Sequence, residues 1–193
     1  MTGWIKSLAI IGFVAAALPV AAQDSGTAPD VASTLPLGES AGVPPGQPFE
    51  KEVFRDWRVV CVRSADAVET CNMQQLAVDS QGNPVAQMSV VPLAAEAAPR
   101  AAAVEVVAPL ETLLSGDVRV QVDDGDERLY RFTFCNGEAC FARFAFTATE
   151  IEALKAGGEA YIRIVPLVAP DQVATVTISL RGFTAAYDSL VPN

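Results

Sequence analysis

Histidine is absent from this chain, and lysine is nearly so: only Lys6, Lys51 and Lys155 occur among 193 residues. The missing histidine excludes Ser-His-Asp and Cys-His catalytic groups and every histidine-ligated metal site. Neither later lysine lies in an SxxK pattern, and no glycine-rich nucleotide-binding loop occurs. Glu150 and Glu152 could form a carboxylate pair, but acidic residues are typical of the first turn of a helix. The sequence therefore predicts no catalytic, cofactor-binding or metal-binding residue, and we expect a protein that is not an enzyme.

Positive charge is also in short supply, since the formal net charge is −10. An acidic surface repels nucleic acid and anionic lipid, so we expect no nucleic-acid partner. The acidic cluster from Asp123 to Glu127 is open to a calcium interpretation, but it lacks the twelve-residue loop that ends in a bidentate glutamate. Asp124-Gly125 between two strand-like runs instead favours a hairpin turn.

Long apolar runs are missing after Leu18, and the one before it has the features of an export signal. Lys6 gives a positive start, Leu8 to Leu18 is apolar, and Val20-Ala21-Ala22 fits a small-x-small cleavage site. We predict a signal peptide over residues 1–22. The alternative is an uncleaved anchor, which needs roughly 20 apolar residues to span a bilayer. We therefore expect an exported protein, periplasmic or secreted to the outer envelope, with no stable transmembrane insertion.

Composition divides the rest of the chain into two parts. Residues 23–48 are rich in Pro, Gly, Ser and Ala and have few large apolar residues to bury, which predicts a disordered linker. Residues 49–193 have the length of one ordinary domain that folds without a metal.

Short runs rich in Val, Ile, Thr and aromatic residues dominate this domain and are separated by turn sequences. We therefore predict an all-β fold, an antiparallel β-sandwich with a β-barrel as the alternative. One helix is expected over Thr149 to Ala156, with Thr149 as its N-cap and Gly157 as its stop. The predicted strands are Asp56–Val62, Val68–Val78, Val85–Val91, Ala103–Ala108, Val118–Val122, Leu129–Cys135, Cys140–Phe146, Tyr161–Val165 and Val173–Leu180.

Four cysteines form two close pairs, and each pair brackets a predicted hairpin. We predict disulfides between Cys61 and Cys71 and between Cys135 and Cys140, one of three possible connectivities. A zinc site would need closer CxxC-like spacing and a reducing compartment. A redox site would need CxxC at the start of a helix, whereas Cys135 ends a predicted strand.

These segments together resemble the invasion-associated locus B family, in a match that extends from Phe54 to Leu190. The resemblance implies an exported alphaproteobacterial envelope or periplasmic protein, virulence-associated in the member linked to invasion of host red cells, and it brings no established catalytic residue. Ala139 departs from the glycine that usually precedes the last cysteine. The matching segments are Phe54-Arg55-Asp56-Trp57-Arg58-Val59-Val60-Cys61, Cys71-Asn72-Met73-Gln74-Gln75, Ala108-Pro109-Leu110, Phe134-Cys135 with Cys140-Phe141-Ala142, and Leu180-Arg181-Gly182-Phe183-Thr184-Ala185-Ala186-Tyr187.

Two functions follow from this reading. The first is a non-enzymatic binding or interaction module that contacts an envelope or surface protein and contributes to host-cell invasion or envelope function. A large exposed apolar patch would favour it. The second is a periplasmic hydrolase or stress-related enzyme with two facing carboxylates in a pocket. Trp57, Gly182 and Phe183 are expected to be structural. We expect Trp57 to lie in the core against a disulfide, and Phe183 to dock a final helical turn with Tyr187.

Overall fold

The structure, a computed structural model, describes residues 42–78 and 83–191. The predicted signal peptide, and the predicted linker as far as residue 41, lie outside the described residues, so both domain boundaries stay predictions. The strands are β1 (Pro48–Phe54), β2 (Trp57–Arg63), β3 (Glu69–Val78), β4 (Pro84–Pro92), β5 (Arg100–Ala108), β6 (Val118–Val122), β7 (Arg128–Tyr130), β8 (Phe134–Cys135), β9 (Cys140–Thr147), β10 (Glu159–Ile164) and β11 (Ala174–Ser179). The helices are α1 (Ala148–Ala156) and α2 (Phe183–Asp188).

Two antiparallel sheets form the fold, which confirms the predicted all-β class. The larger sheet has the order β1-β2-β3-β4-β5-β9-β8 and the smaller has the order β11-β10-β6-β7. In each sheet the first and last strands of the order do not pair with each other. The described strands therefore form two open sheets and not a closed barrel. Apolar residues alternate along the strands, as along β2, where Trp57, Val59 and Cys61 are buried and Arg58 is exposed. These inward residues of both sheets form one hydrophobic core.

β1 was not predicted, because its sequence Pro-Phe-Glu-Lys-Glu-Val-Phe carries three consecutive charged residues and little apolar alternation. It is the edge strand of the larger sheet and pairs only with β2 among the described strands. Charged side chains are common on such strands because they discourage pairing with another chain. The consecutive charged residues, which made this strand unpredictable from alternation, thus suit a strand at the edge of a sheet.

The prediction of one strand from Leu129 to Cys135 is wrong in its middle. β7 ends at Tyr130 in the smaller sheet, and β8 begins at Phe134 in the larger one. The three residues between them carry the chain from one sheet to the other, and Thr133 N donates to Phe141 O at 2.7 Å. The aromatic alternation continues through this crossing, so it could not mark the change of sheet.

The predicted N-cap of α1 is also wrong, since Thr147 and not Thr149 has this role. Thr147 and Glu150 form a capping box, in which each side chain bonds the backbone N–H of the other residue. The sequence fits a capping box from either threonine, because Glu152 stands three residues after Thr149. The helix begins directly after β9, and it buries Ile151 and Leu154.

α2 closes the fold after a left-handed residue, Gly182, whose φ is +90°. A Cβ atom at this position would overlap the carbonyl oxygen of Phe54 and lie 2.7 Å from its carbonyl carbon. Glycine is therefore required both for the backbone angle and for this close approach. Among the described residues, no helix is long and apolar enough to span a membrane.

Candidate functional site

The backbone of Ser179 at the end of β11 joins the two sheets. Its carbonyl oxygen accepts hydrogen bonds from Trp57 Nε1 at 2.8 Å and Gln75 Nε2 at 2.9 Å. Its N–H donates to Gln75 Oε1 at 2.7 Å, and its hydroxyl donates to Asp56 Oδ2 at 2.6 Å. Asp56, Trp57 and Gln75, which come from the first two motif segments, thus converge on one residue of the opposite sheet.

Trp57 and Phe183 both lie in the core, where their rings meet edge to face at 5.1 Å between centroids. Trp57 and Cys61 are four residues apart on β2, which places their Cα atoms about 13 Å apart because a strand rises about 3.3 Å per residue. The expected contact between Trp57 and the Cys61 disulfide stays a prediction. Tyr187 follows Phe183 by one helical turn, and its hydroxyl donates to Ala101 O at 3.0 Å.

The structure joins the cysteines in the predicted pairs, Cys61 with Cys71 and Cys135 with Cys140. Each pair occupies directly opposed positions of neighbouring strands. In chain-entropy terms, loops of this size contribute on the order of 2 to 3 kcal/mol each. Ala139 has no left-handed backbone, and its N–H donates to Asn136 Oδ1 at 2.9 Å, so alanine fits this turn without strain.

Exposed aliphatic side chains gather on two loops at one end of the domain. The loops are tied together by hydrogen bonds from Leu113 N to Val165 O and from Leu167 N to Glu111 O, both 2.8 Å. We call the side chains of Leu110, Leu114, Leu167 and Val168 the apolar tip. Their exposed fractions are 46%, 43%, 56% and 78%. This end also holds the second disulfide, because Cys140 Sγ lies 3.9 Å from Leu110 O.

The charged residues of the two loops that carry the apolar tip are all acidic. Loop residues 109–117 and 165–173 contain Glu111, Asp117 and Asp171 and no lysine or arginine. Glu138, on the neighbouring hairpin, adds a fourth carboxylate, and it is exposed. The apolar tip therefore lies on loops whose charged side chains are all acidic.

A second feature is a groove beside α1, built around Tyr130 and Glu150. The Tyr130 hydroxyl donates to Glu150 Oε1, while Thr147 N and Thr147 Oγ1 donate to Glu150 Oε2 at 2.8 and 2.7 Å. Tyr130 stacks on Phe144, with 3.8 Å between ring centroids. One cavity here, of about 370 Å³, has a floor that includes Val120, Phe146 and Leu154.

The Tyr130–Glu150 hydrogen bond shifts the pKa values of the two side chains in opposite directions. Burial raises the pKa of Tyr130, and the Glu150 carboxylate raises it further. Burial also opposes ionisation of Glu150, but the hydrogen bonds from Tyr130 and Thr147 outweigh it and lower the pKa of Glu150. At neutral pH the tyrosine is thus protonated and the glutamate ionised.

Comparison with known proteins agrees with the motifs. The family described as "Invasion associated locus B (IalB) protein" matches residues 57–191. The chain belongs to the IalB family. Two invasion protein B homologs, from Brucella abortus strains 2308 and 9-941, are each 27% identical over 151 residues, which cover 78% of this chain and 84% of theirs. The crystal structure of invasion associated protein B from Bartonella henselae is similar, with a TM-score of 0.60 and 26% identity over 72% of this chain and 94% of that one.

The IalB relatives are named as invasion proteins and not as enzymes, and the carboxylates of the groove also have structural tasks here. Asp123 accepts hydrogen bonds from Gly158 N and from Glu159 N, the latter at 2.9 Å. Both oxygens of Glu150 are engaged by Tyr130 and Thr147. Within residues 42–78 and 83–191, the one group with metal-like spacing is Cys61, Glu69 and Cys71, whose sulfurs are bonded to each other and so are not thiolate ligands.

Neither the apolar tip nor the groove is predictable from the sequence of this IalB chain. The tip is not, because Leu110 and Val168 are far apart in sequence and lie in segments without regular alternation. The groove is not, because the aromatic alternation assigns Tyr130 to one long strand, whereas β7 ends at this residue. Its one detectable signal was the Thr-x-x-Glu capping pattern at Thr147 and Glu150.

Proposed function

We propose that this IalB protein is an exported, non-enzymatic interaction module of the cell envelope and that the apolar tip is its protein-binding surface. The observation that carries the proposal is the exposure of Leu167 and Val168, 56% and 78%, on loops that are fixed to each other by backbone hydrogen bonds. Adjacent exposed apolar side chains on an ordered surface are typical of a protein–protein contact. The names of the Brucella and Bartonella relatives extend the proposal to a contribution to host-cell invasion or envelope function.

The acidic side chains of the tip loops determine the kind of partner that we propose. Anionic lipid is disfavoured because Glu111, Asp117 and Asp171 would face its phosphates. A second copy of this chain is disfavoured too, since a two-fold contact places identical acidic loops against each other. The occupant that fits is a protein with an apolar patch bordered by lysine or arginine.

A photocrosslinking residue at Val168, introduced in the bacterium that makes the protein, tests this proposal. The matched control is the same residue at Val68, a valine that is 63% exposed in the loop between β2 and β3. We expect a discrete crosslinked product from position 168 and none from position 68. The product should disappear with Leu167→Asp and weaken with Glu111→Lys, because the first change removes apolar contact and the second reverses a rim charge.

Equal crosslinking from both positions, or no effect of Glu111→Lys, would contradict a charge-selected contact at the tip. Cell fractionation of the unmodified strain tests the export part separately. We expect the protein in the envelope or medium fraction, and its retention in the cytoplasm would refute export without bearing on the tip.

A further inference from the structure

Two arginines without ion-pair partners line one groove, although the protein is strongly acidic. Arg100 begins β5 and Arg128 begins β7, and both contribute to a groove of about 720 Å³ next to α1. Within the described residues, neither guanidinium has a carboxylate within 4.0 Å, whereas eight other basic side chains do. We call this feature the arginine groove.

The one carboxylate that lines the arginine groove is already engaged. Glu150 accepts from the Tyr130 hydroxyl on one oxygen and from Thr147 on the other, and the capping box fixes its position. Glu96 lies on the loop that borders the groove but does not line it. The two positive charges therefore have no contacting counter-charge in the described protein, although Glu150 lowers the local potential.

The remaining wall of the groove is apolar. It includes Leu93, Ala95, Pro99 and Val191, and Val191 is 44% exposed. The loop that carries the first three of these residues is fixed, because Leu93 N donates to Ala101 O at 2.9 Å across its ends. A groove of several hundred cubic ångströms with an apolar wall and a few fixed polar groups has the composition of a small-molecule site.

The adjoining cavity provides a contrast. It shares Arg128, Thr149 and Glu150 with the arginine groove, but its rim adds Asp123 and Asp126 and its volume is about 370 Å³. The carboxylates of the smaller cavity repel an anion, whereas Arg100 attracts one. Of the two adjoining sites beside α1, the arginine groove is therefore the one that suits an anionic ligand.

We infer that the arginine groove binds an amphiphile whose anionic head, a carboxylate or a phosphate, lies between Arg100 and Arg128 while its hydrocarbon chain lies on the wall formed by Leu93, Pro99 and Val191. Guanidinium groups match both anions because their N–H groups bond two oxygens at once. A free fatty acid and a lipid phosphate headgroup share this chemistry. This inference goes beyond the proposed protein contact and does not depend on it.

Isothermal titration of the protein in its naturally processed form tests the inference, with octanoate and octyl phosphate as probes. Octanol and octylammonium are the matched controls for the head charge. We expect measurable binding of at least one anion and binding of both controls that is weaker by about tenfold or more, since a charge-assisted hydrogen bond is typically worth one tenfold step. Tighter binding of octyl phosphate would support a lipid headgroup as the natural ligand, and tighter binding of octanoate would support a fatty acid.

The variants Arg100→Gln and Arg128→Gln should each weaken anion binding by about tenfold on the same grounds. Arg131→Gln is the control, because Arg131 is an exposed arginine without an ion pair in the described structure that lines neither cavity. Equal weakening by all three changes, or equal affinity for octanol, would overturn the inference. A measurement without substitutions is NMR of the arginine Nε–Hε signals, where octanoate should shift those of Arg100 and Arg128 and not that of Arg131.

Discussion

Replacing Gln75 by methionine should remove the main polar connection between the two sheets. Gln75 is buried, and its amide forms hydrogen bonds of 2.9 and 2.7 Å with the C=O and N–H of Ser179. Methionine keeps similar volume and an apolar stem but has no amide, so the Ser179 N–H loses its acceptor. The Ser179 C=O keeps its bond from Trp57 Nε1 at 2.8 Å.

The expected loss of stability follows from the two hydrogen bonds that Gln75 makes with Ser179, one with its N–H and one with its C=O. An unsatisfied buried N–H costs about 1–3 kcal/mol, and the second hydrogen bond contributes about 0.5–1.5 kcal/mol net. We therefore expect Gln75→Met to lower the free energy of unfolding by about 2–4 kcal/mol. For a domain of this size, that corresponds to a fall in thermal midpoint of roughly 6–15 °C.

Urea unfolding, followed by circular dichroism and tryptophan fluorescence, measures this loss. Once the predicted signal peptide is removed, Trp57 is the sole tryptophan, so its emission reports the core beside Ser179. Gln74→Met is the matched control, since Gln74 lies on the opposite face of β3 and its side chain has one hydrogen bond, from Gln87 at 3.2 Å. A Gln75→Met loss no larger than that of the control would refute the role of this residue in joining the sheets.

Two further predictions concern the closing turn and the groove. Gly182→Ala should destabilise the domain by about 2–4 kcal/mol, because alanine would be strained in the left-handed backbone and its Cβ would overlap the Phe54 carbonyl. A change in the free energy of unfolding within about 0.5 kcal/mol in urea, which is typical of a neutral surface substitution, would contradict this. Glu150→Gln should reduce the acid sensitivity of folding. The pKa of Glu150 is lower in the folded protein than its usual value, so its contribution is present above the unfolded pKa and is lost as the pH falls through the folded pKa. Stability curves of the two proteins should therefore converge towards low pH, and curves that stay parallel below pH ~4.5 would argue against this ionised pair.

The strand content was predictable because most strands alternate between a buried and an exposed face. Trp57, Val59 and Cys61 show this pattern directly in the sequence, and the hairpin positions of the cysteines made their pairing predictable. Alternation reports burial on a sheet but not which sheet, so the crossing after Tyr130 was missed. It also fails for edge strands such as β1, whose charges suit its position.

The functional surfaces could not be predicted for a different reason. Each one depends on residues that approach only after the chain has folded, such as Arg100 and Arg128, or Leu110 and Val168. The motif segments of the family were visible in the sequence, but in the structure Trp57 and Gln75 bind the backbone of Ser179. The most distinctive residues of the chain therefore stabilise the fold, and the candidate binding surfaces consist of residues without a recognisable pattern.

The link between Trp57 and Ser179 also affects when the domain can fold. The two residues are 122 positions apart, so Trp57 finds its hydrogen-bond acceptor and its ring neighbour Phe183 only after nearly the whole domain has been synthesised. Contacts between such distant residues form slowly and do not stabilise partial chains. A nascent chain that still lacks its C-terminal segment therefore lacks the Ser179 junction and the Phe183 contact. An export channel that takes unfolded chains would accept such a chain, so the late formation of the Ser179 junction agrees with the export proposed above.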